Sequence, residues 1–160
     1  MYSRARCPVE DRPHLVELTY VTARGNWYHH SWKGEDSKSG GIATNIGVHF
    51  FDMLQWIFGK VKENRAIRLE KDNAKGTLVL DRATVNWSLS INETDLPEKA
   101  VAQGKRTFRS LKIENKEIEF SEGFKDLHNL CYQHILEGRG FGIEEARGSI
   151  ESVYRLRETK

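Results

Sequence analysis

Residues 39–59 read SGGIATNIGVHFFDMLQWIFG, an apolar helical pattern that has two glycines near its start, one in its middle and one at its end. Because most positions are apolar, the stretch predicts a single buried helix with Gly59 at its C-cap. One face of this helix is polar or amphipathic, since four such side chains recur at helical spacing: Asn45, His49, Asp52 and Trp56. Burying the amide of Asn45 and the imidazole of His49 requires hydrogen-bond partners within the protein or a ligand beside them, and the pattern leaves both alternatives open.

Length and composition indicate an ordinary globular protein. The chain has 160 residues, of which 38% are hydrophobic and 30% are charged, which is enough for one well-packed domain. The net charge of +2 and the lack of a long Lys/Arg run argue against nucleic acid or an anionic membrane as a partner. No apolar stretch has membrane-spanning length, and the first residues lack the apolar core of a signal peptide. Cys7 and Cys131 are far apart and without metal-ligand spacing, which is typical of reduced thiols in the cytoplasm.

Hydrophobic periodicity outside the central helix predicts an α+β fold. Residues 1–13 are polar and contain two prolines, so we expect a leader or linker before a single domain at 14–160. Consecutive strands without intervening helices favour an open, mostly antiparallel sheet with helices on one face. The predicted strands are residues 14–23, 61–70, 75–80, 82–91, 106–113 and 116–120, the predicted loops are 24–39 and 92–105, and helices are predicted around 127–135 and 143–157.

The central stretch resembles the C-terminal domain of the Gfo/Idh/MocA oxidoreductases, which are dehydrogenases acting on sugars and cyclitols. The family pattern is Gly-Gly, then an acidic residue, then His within Gly-Val-His; here it appears as GGIATNIGVH, with Asn45 where Asp is usual. Within the family, the chain is most similar to UDP-N-acetylglucosaminuronate 3-dehydrogenases, in which Asn is expected at this position. The resemblance covers the chain from His14 onward, and its long blocks are residues 19–54, 85–97 and 138–157.

The resemblance implies half of an enzyme. Family members bind NAD in an N-terminal Rossmann domain that has a glycine-rich turn and a Glu-Lys-Pro motif with a catalytic lysine. This chain has no strand followed by G-x-G-x-x-G, and Glu98-Lys99 is followed by Ala100. We therefore expect a substrate-binding and oligomerisation domain that binds no NAD by itself. Its expected partners are a nucleotide-sugar substrate, the Rossmann domain and, through an apolar outer sheet face, a second copy of the chain.

His49 and Asn45 are the expected catalytic residues. Oxidising a secondary alcohol requires a base at the hydroxyl, and histidine suits this role because its free pKa lies near neutral pH. Asn45, one turn earlier, would hold the imidazole tautomer or bind a sugar hydroxyl. Two other interpretations stay open: a core histidine paired with a backbone carbonyl, and proton transfer by the lysine that the family carries in its Rossmann domain.

Substrate-binding residues are predicted where the central helix begins. The backbone N–H groups of Ser39, Gly40 and Gly41 suit a carboxylate or a phosphate, and a plain cap and turn is the alternative. The ammonium group of Lys38 would meet the uronate or the diphosphate, unless it is simply a solvated loop lysine.

The loop before the helix contributes further candidates. Trp32 is predicted to stack on a sugar or a base, with packing against the sheet as the alternative, and Trp27 is expected to pack. The neighbouring Lys33 has the same two interpretations as Lys38. No metal site is expected, because adjacent histidines such as His29-His30 point apart and no third ligand has useful spacing.

Two expectations concern the interior of the protein. Trp56 is expected in the core, and the helix around 127–135 is expected to bury the face that carries Cys131 and His134. Two other functions remain as alternatives: another sugar or cyclitol dehydrogenase of the same family, and a non-catalytic binding or assembly module.

Overall fold

A computed structural model describes residues 12–122 and 126–158. Residues 1–11 of the predicted leader lie outside the described residues, and the predicted domain boundary stays a prediction. The strands are β1 (His14–Thr22), β2 (Val61–Leu69), β3 (Asn73–Leu80), β4 (Ala83–Ser90), β5 (Thr107–Ile113) and β6 (Lys116–Glu119). The helices are α1 (Asn26–His30), α2 (Asp36–Ser39), α3 (Gly41–Asn45), α4 (Gly47–Phe58), α5 (Glu98–Ala102), α6 (Leu127–Leu136) and α7 (Ile143–Glu158), with 3-10 turns at Trp32–Gly34 and Glu93–Asp95.

The strands form one sheet in the order β2-β3-β4-β1-β5-β6. Only β1 and β4 pair in parallel, and every other neighbouring pair is antiparallel. The prediction of an open, mostly antiparallel α+β sheet is therefore confirmed. In the described part of the chain, no helix combines the length and the apolar character needed to cross a bilayer.

The core lies between one face of the sheet and helices α3, α4 and α7. Alternate residues of β1 point into it, so Val16 and Leu18 are buried whereas Glu17 is exposed. Phe51 of α4 packs edge-on against Trp87 of β4, with 5.4 Å between ring centroids. Gly76 on β3 lies directly beside that indole, since a Cβ there would come within 2.3 Å of the ring. These contacts therefore fix how closely α4 packs on the sheet.

A short chain of polar groups ties α7 to this core. The Trp87 Nε1–H donates to Asn64 Oδ1 at 3.1 Å, and the Asn64 amide Nδ2 donates to Ser152 Oγ at 2.8 Å. Trp87 and Ser152 are both buried, so each polar group depends on Asn64 for its partner. The contact links β4, β2 and α7.

The central helix differs from the prediction in two ways. It is broken into α2, α3 and α4, because Gly40 adopts a left-handed conformation (φ 74°) and Ile46 (φ −110°) interrupts the backbone before α4. The expectation of a helix buried on most sides is wrong, since the sheet and α7 cover only one side of α4. Trp56 lies on the other side and is 71% exposed, so its expected place in the core is also wrong.

Helix α6 also differs from the prediction. Its apolar residues Leu127, Leu130 and Ile135 are all exposed, as is Cys131, whereas His134 is partly covered. The expected interior face is wrong because the element stands outside the layer formed by α3, α4 and α7. Helix α5, in turn, forms within the segment predicted as a loop.

The outer face of the sheet carries mostly polar side chains. Glu17, Lys75 and Asn86 are exposed there, and Leu15 is an apolar exception. The expectation of an apolar outer face is therefore met at few positions. Association of two copies through this face stays a prediction.

Replacing Asn64 with Ala is expected to lower the free energy of unfolding by about 1–3 kcal/mol, because the buried indole N–H of Trp87 would lose its acceptor. Urea unfolding followed by tryptophan fluorescence measures the change. The matched control is Asn86→Ala on the exposed face of β4, where we expect a change within about 0.5 kcal/mol. Equal losses in the two variants would contradict the structural role of Asn64.

Candidate functional site

A cleft of about 560 Å³ lies between the carboxyl-terminal end of β1 and the outer side of α4. Tyr20 at the end of β1 and Phe50 of α4 form part of its wall, and their rings pack with centroids 4.9 Å apart. Leu127, at the start of α6, also lines it. The cleft thus combines apolar walls with a ring of polar groups, which is the usual composition of a small-molecule site.

His49 and Asn45 both line this cleft. His49 is exposed in the first turn of α4, so the expectation of a buried histidine is wrong and its imidazole is accessible to a ligand. Asn45 Nδ2 donates to the hydroxyl of Tyr28 at 3.1 Å, and Tyr28 is only 2% exposed. Among the described residues, no hydrogen bond joins Asn45 to His49. The amide is therefore oriented by Tyr28, and the predicted support of the imidazole is not seen.

The polar face predicted from helical spacing is divided by the structure. Asp52 lines the cleft with Asn45 and His49, whereas Trp56 lies outside it. The division follows from geometry, because Trp56 is about two helical turns beyond His49 and lies past the end of the cleft.

Among the described residues, three cationic side chains line the cleft beside a single carboxylate, that of Asp52. The Arg109 guanidinium lies over the ring of Tyr20, 5.6 Å from its centroid, and the Lys33 ammonium lies 5.8 Å from the centroid of Trp32. Arg24 is the third cation. Excess positive charge in a partly apolar cleft favours an anionic ligand.

Sequence reasoning did not identify Arg24 or Arg109 as site residues. Arg109 reaches the cleft because β5 pairs with β1 in a register that sets Arg109 opposite Tyr20. The two positions are far apart in the chain, and no local pattern connects them. Tyr28 belongs to the aromatic loop 24–39, for which the sequence leaves open both stacking on a ligand and packing against the sheet, and its burial depends on tertiary packing.

The other predicted substrate-binding residues lie outside the cleft. Lys38 Nζ is 2.6 Å from Glu35 Oε2. That hydrogen bond, followed by the one from Ser37, holds the pKa of the Glu35 carboxyl below its ordinary value. Both groups are exposed, so the pair contributes little to stability.

The turn at Ser39, Gly40 and Gly41 uses its own backbone donors. The Gly40 N–H donates to the Asp36 carbonyl at 2.9 Å, and the Gly41 N–H donates to Ser39 Oγ at 3.1 Å. The expectation of unobstructed N–H groups at both glycines is therefore wrong. The crevice that Gly40 and Gly41 line is about 10 Å³, room for a single water. Substrate binding by Lys38 and this turn stays a prediction.

The loop tryptophans are both accessible. Trp32 is 57% exposed beside Lys33, and Trp27 is 54% exposed and packs edge-on against Tyr28, with 5.9 Å between ring centroids. Stacking of Trp32 on a ligand stays a prediction. His29 Nε2 lies 3.7 Å from Asp72 Oδ1, and the described residues contain no group of three or more side chains arranged to hold a metal ion.

Comparison with known proteins gives consistent matches. A family model described as "Oxidoreductase family, C-terminal alpha/beta domain" matches residues 11–92. The WlbA (WbpB) dehydrogenase from Thermus thermophilus, solved with NAD and alpha-ketoglutarate, is 46% identical over 94% of this chain and 49% of its own, with a TM-score of 0.88. Its structure with NAD and UDP-GlcNAcA is 47% identical over 91% of this chain and 47% of its own, with a TM-score of 0.85.

A more distant relative shares the fold. The WlbA dehydrogenase from Bordetella pertussis, solved with NADH and UDP-GlcNAcA, is 21% identical over 92% of this chain and 53% of its own, with a TM-score of 0.57. The chain spans about half the length of these relatives.

The family match covers about half of the chain, from the start of β1 to the end of β4. That segment contains both polar residues at the centre of the cleft, Asn45 and His49, together with Arg24 and Lys33. The chain belongs to the Gfo/Idh/MocA oxidoreductase family, as its C-terminal alpha/beta domain.

Proposed function

We propose that this chain is the substrate-binding half of an NAD-dependent dehydrogenase that oxidises the C3 hydroxyl of UDP-GlcNAcA (UDP-N-acetylglucosaminuronate). The observation that carries the proposal is the cationic cleft around His49, in a chain 47% identical to a dehydrogenase solved with that nucleotide sugar. The product would serve surface polysaccharide synthesis in the cytoplasm. A second copy of the chain would associate through the outer sheet face.

Charge complementarity supports an acidic nucleotide sugar. UDP-GlcNAcA carries a diphosphate and a carboxylate, and the described residues of the cleft offer Arg24, Lys33 and Arg109 against the carboxylate of Asp52. The exposed indole of Trp32 stands beside Lys33 and offers a flat surface for the uracil or the sugar. Apolar walls at Tyr20 and its neighbours exclude water from the rest of the ligand.

His49 has the position required of the proton acceptor. Its imidazole is accessible from the cleft, so the hydroxyl of a bound sugar can donate its proton to a ring nitrogen. Asn45 lies one turn earlier with Nδ2 engaged by Tyr28, which leaves its carbonyl oxygen Oδ1 to accept a hydrogen bond from the same sugar. These two residues would fix the reacting hydroxyl before the proton moves.

The described residues do not fit a dinucleotide. The one parallel pair, β1 with β4, is connected through four helices and two antiparallel strands, and no glycine-rich turn leads from a strand into a helix as in a nucleotide-binding βαβ unit. We therefore assign the hydride acceptor to the part of the whole enzyme that corresponds to the other half of the relatives, and this chain to substrate binding and proton transfer.

Titration of the chain with UDP-GlcNAcA to millimolar concentration is expected to shift the amide signals of Asn45 and His49 in NMR spectra. His49→Ala is expected to weaken binding by about tenfold, because a hydrogen bond to the ligand is lost. The matched control is Lys116→Ala, at an exposed lysine of β6 that does not line the cleft, and it should bind as the unaltered chain does. Loss of binding in Lys38→Ala, with His49→Ala unaffected, would move the site to the turn at Gly40. No shift with any UDP sugar would contradict substrate binding by this half.

The purified chain mixed with NAD and UDP-GlcNAcA is expected to produce no NADH, because it lacks the groups that hold the dinucleotide. Absorbance at the NADH band, followed for hours at high protein concentration, measures this. Sustained turnover that disappears in His49→Ala would show that the chain is a complete enzyme and would contradict the division into halves.

A further inference from the structure

Arg24 is held in place by the sheet rather than by a flexible loop. Its backbone N–H donates to the Ile91 carbonyl at 3.3 Å, and the preceding N–H, that of Ala23, donates to the Arg106 carbonyl at 2.8 Å. These bonds extend β1 on both sides, toward the ends of β4 and β5. The next residue, Gly25, has φ 67° and turns the chain away into α1. The Arg24 side chain therefore starts from a rigid point at the edge of the cleft.

The guanidinium of Arg24 has an unused donor. Its Nε is buried, and no acceptor among the described residues receives a hydrogen bond from it. Arg109 and Lys33, the other two cations among the described residues that line the cleft, each have the charged group over an aromatic ring, that of Tyr20 and that of Trp32. A buried N–H without an acceptor is costly in a folded protein, so its retention at a cleft indicates that a ligand supplies the acceptor.

We infer that Arg24 binds the carboxylate of the sugar acid and makes the cleft selective for an acidic over a neutral nucleotide sugar. The inference rests on the proposed function and adds a residue that determines substrate choice. The Nε–H and one Nη–H of an arginine form a planar edge with two parallel donors, which matches the two oxygens of a carboxylate. An acidic sugar supplies an acceptor for the buried Nε–H, whereas a neutral sugar leaves that donor unpaired. This difference makes the contact selective for the acid.

The position of Arg24 favours the carboxylate over the diphosphate. The carboxylate is attached to the sugar ring whose hydroxyl must reach His49, and both Arg24 and His49 line the same cleft. Lys33, half-buried beside the exposed Trp32, is available for the diphosphate, which a lysine binds as a point charge. Arg24 would thus hold the ring by its acid group while His49 and Asn45 meet its hydroxyl.

The test compares two ligands that differ only in the acid group, UDP-GlcNAcA and UDP-N-acetylglucosamine, by calorimetric titration of the whole chain. The unaltered chain is expected to bind the acid about tenfold more tightly, and Arg24→Gln is expected to bring this ratio close to one by weakening the acid alone. Arg24→Lys keeps the charge but loses the two-donor edge, so its ratio should lie between these values.

The matched control is Arg65→Gln, which removes an exposed arginine of β2 paired with Glu63 outside the cleft, and it should keep the original ratio. Circular dichroism and the thermal midpoint verify that each variant is folded. If Arg24→Gln does not fold, the ratio of the two affinities is taken from Arg24→Lys. Equal weakening of both ligands by Arg24→Gln would assign Arg24 to the diphosphate. Unchanged affinity for both ligands would leave Arg24 no role in binding. Either result overturns the inference while the proposed function stands. If the unaltered chain binds neither ligand, the proposed function itself is contradicted.

Discussion

The packing of α4 on the sheet through Phe51 and Trp87 is the contact on which the site depends. Both rings are almost completely buried and meet edge-on, with Gly76 leaving room for the indole and Gly47 for the Phe51 ring. Because the buried side of α4 is held against the sheet, the orientation of its opposite side is fixed as well. His49 lies on that opposite side, so its position relative to the end of β1 is also fixed. The cleft is thus a consequence of how the core packs.

The central strands β3 and β4 were predictable from sequence because buried residues alternate in them with more exposed ones. In β4, for example, Val85, Trp87 and Leu89 point inward while Asn86 points out, and this period of two is visible without a structure. The helices were harder to predict, because an apolar side chain on a helix does not reveal whether a neighbour covers it. Trp56 and the apolar face of α6 were expected inside and are exposed, since no layer of the described residues covers them.

The candidate site was predictable only in part, and for a physical reason. Asn45 and His49 lie on consecutive turns, so helical spacing brought them together, and a family resemblance supplied their role. Arg24 and Arg109 come from the ends of two strands, and only the register between β1 and β5 and the course of the chain after β1 bring them to the same cleft. A local sequence pattern does not show that residues so far apart in the chain meet in the fold. The positive charge of the site, which argues most directly for an acidic ligand, was therefore hidden in a chain with a net charge of only +2.

A crystal structure of the chain with UDP-GlcNAcA would show where the sugar binds. We expect ligand density in the cleft between β1 and α4, with a ring hydroxyl in hydrogen-bond contact with His49 and the carboxylate against Arg24. Density at the turn formed by Gly40 and Gly41, with the cleft holding only water, would contradict this expectation.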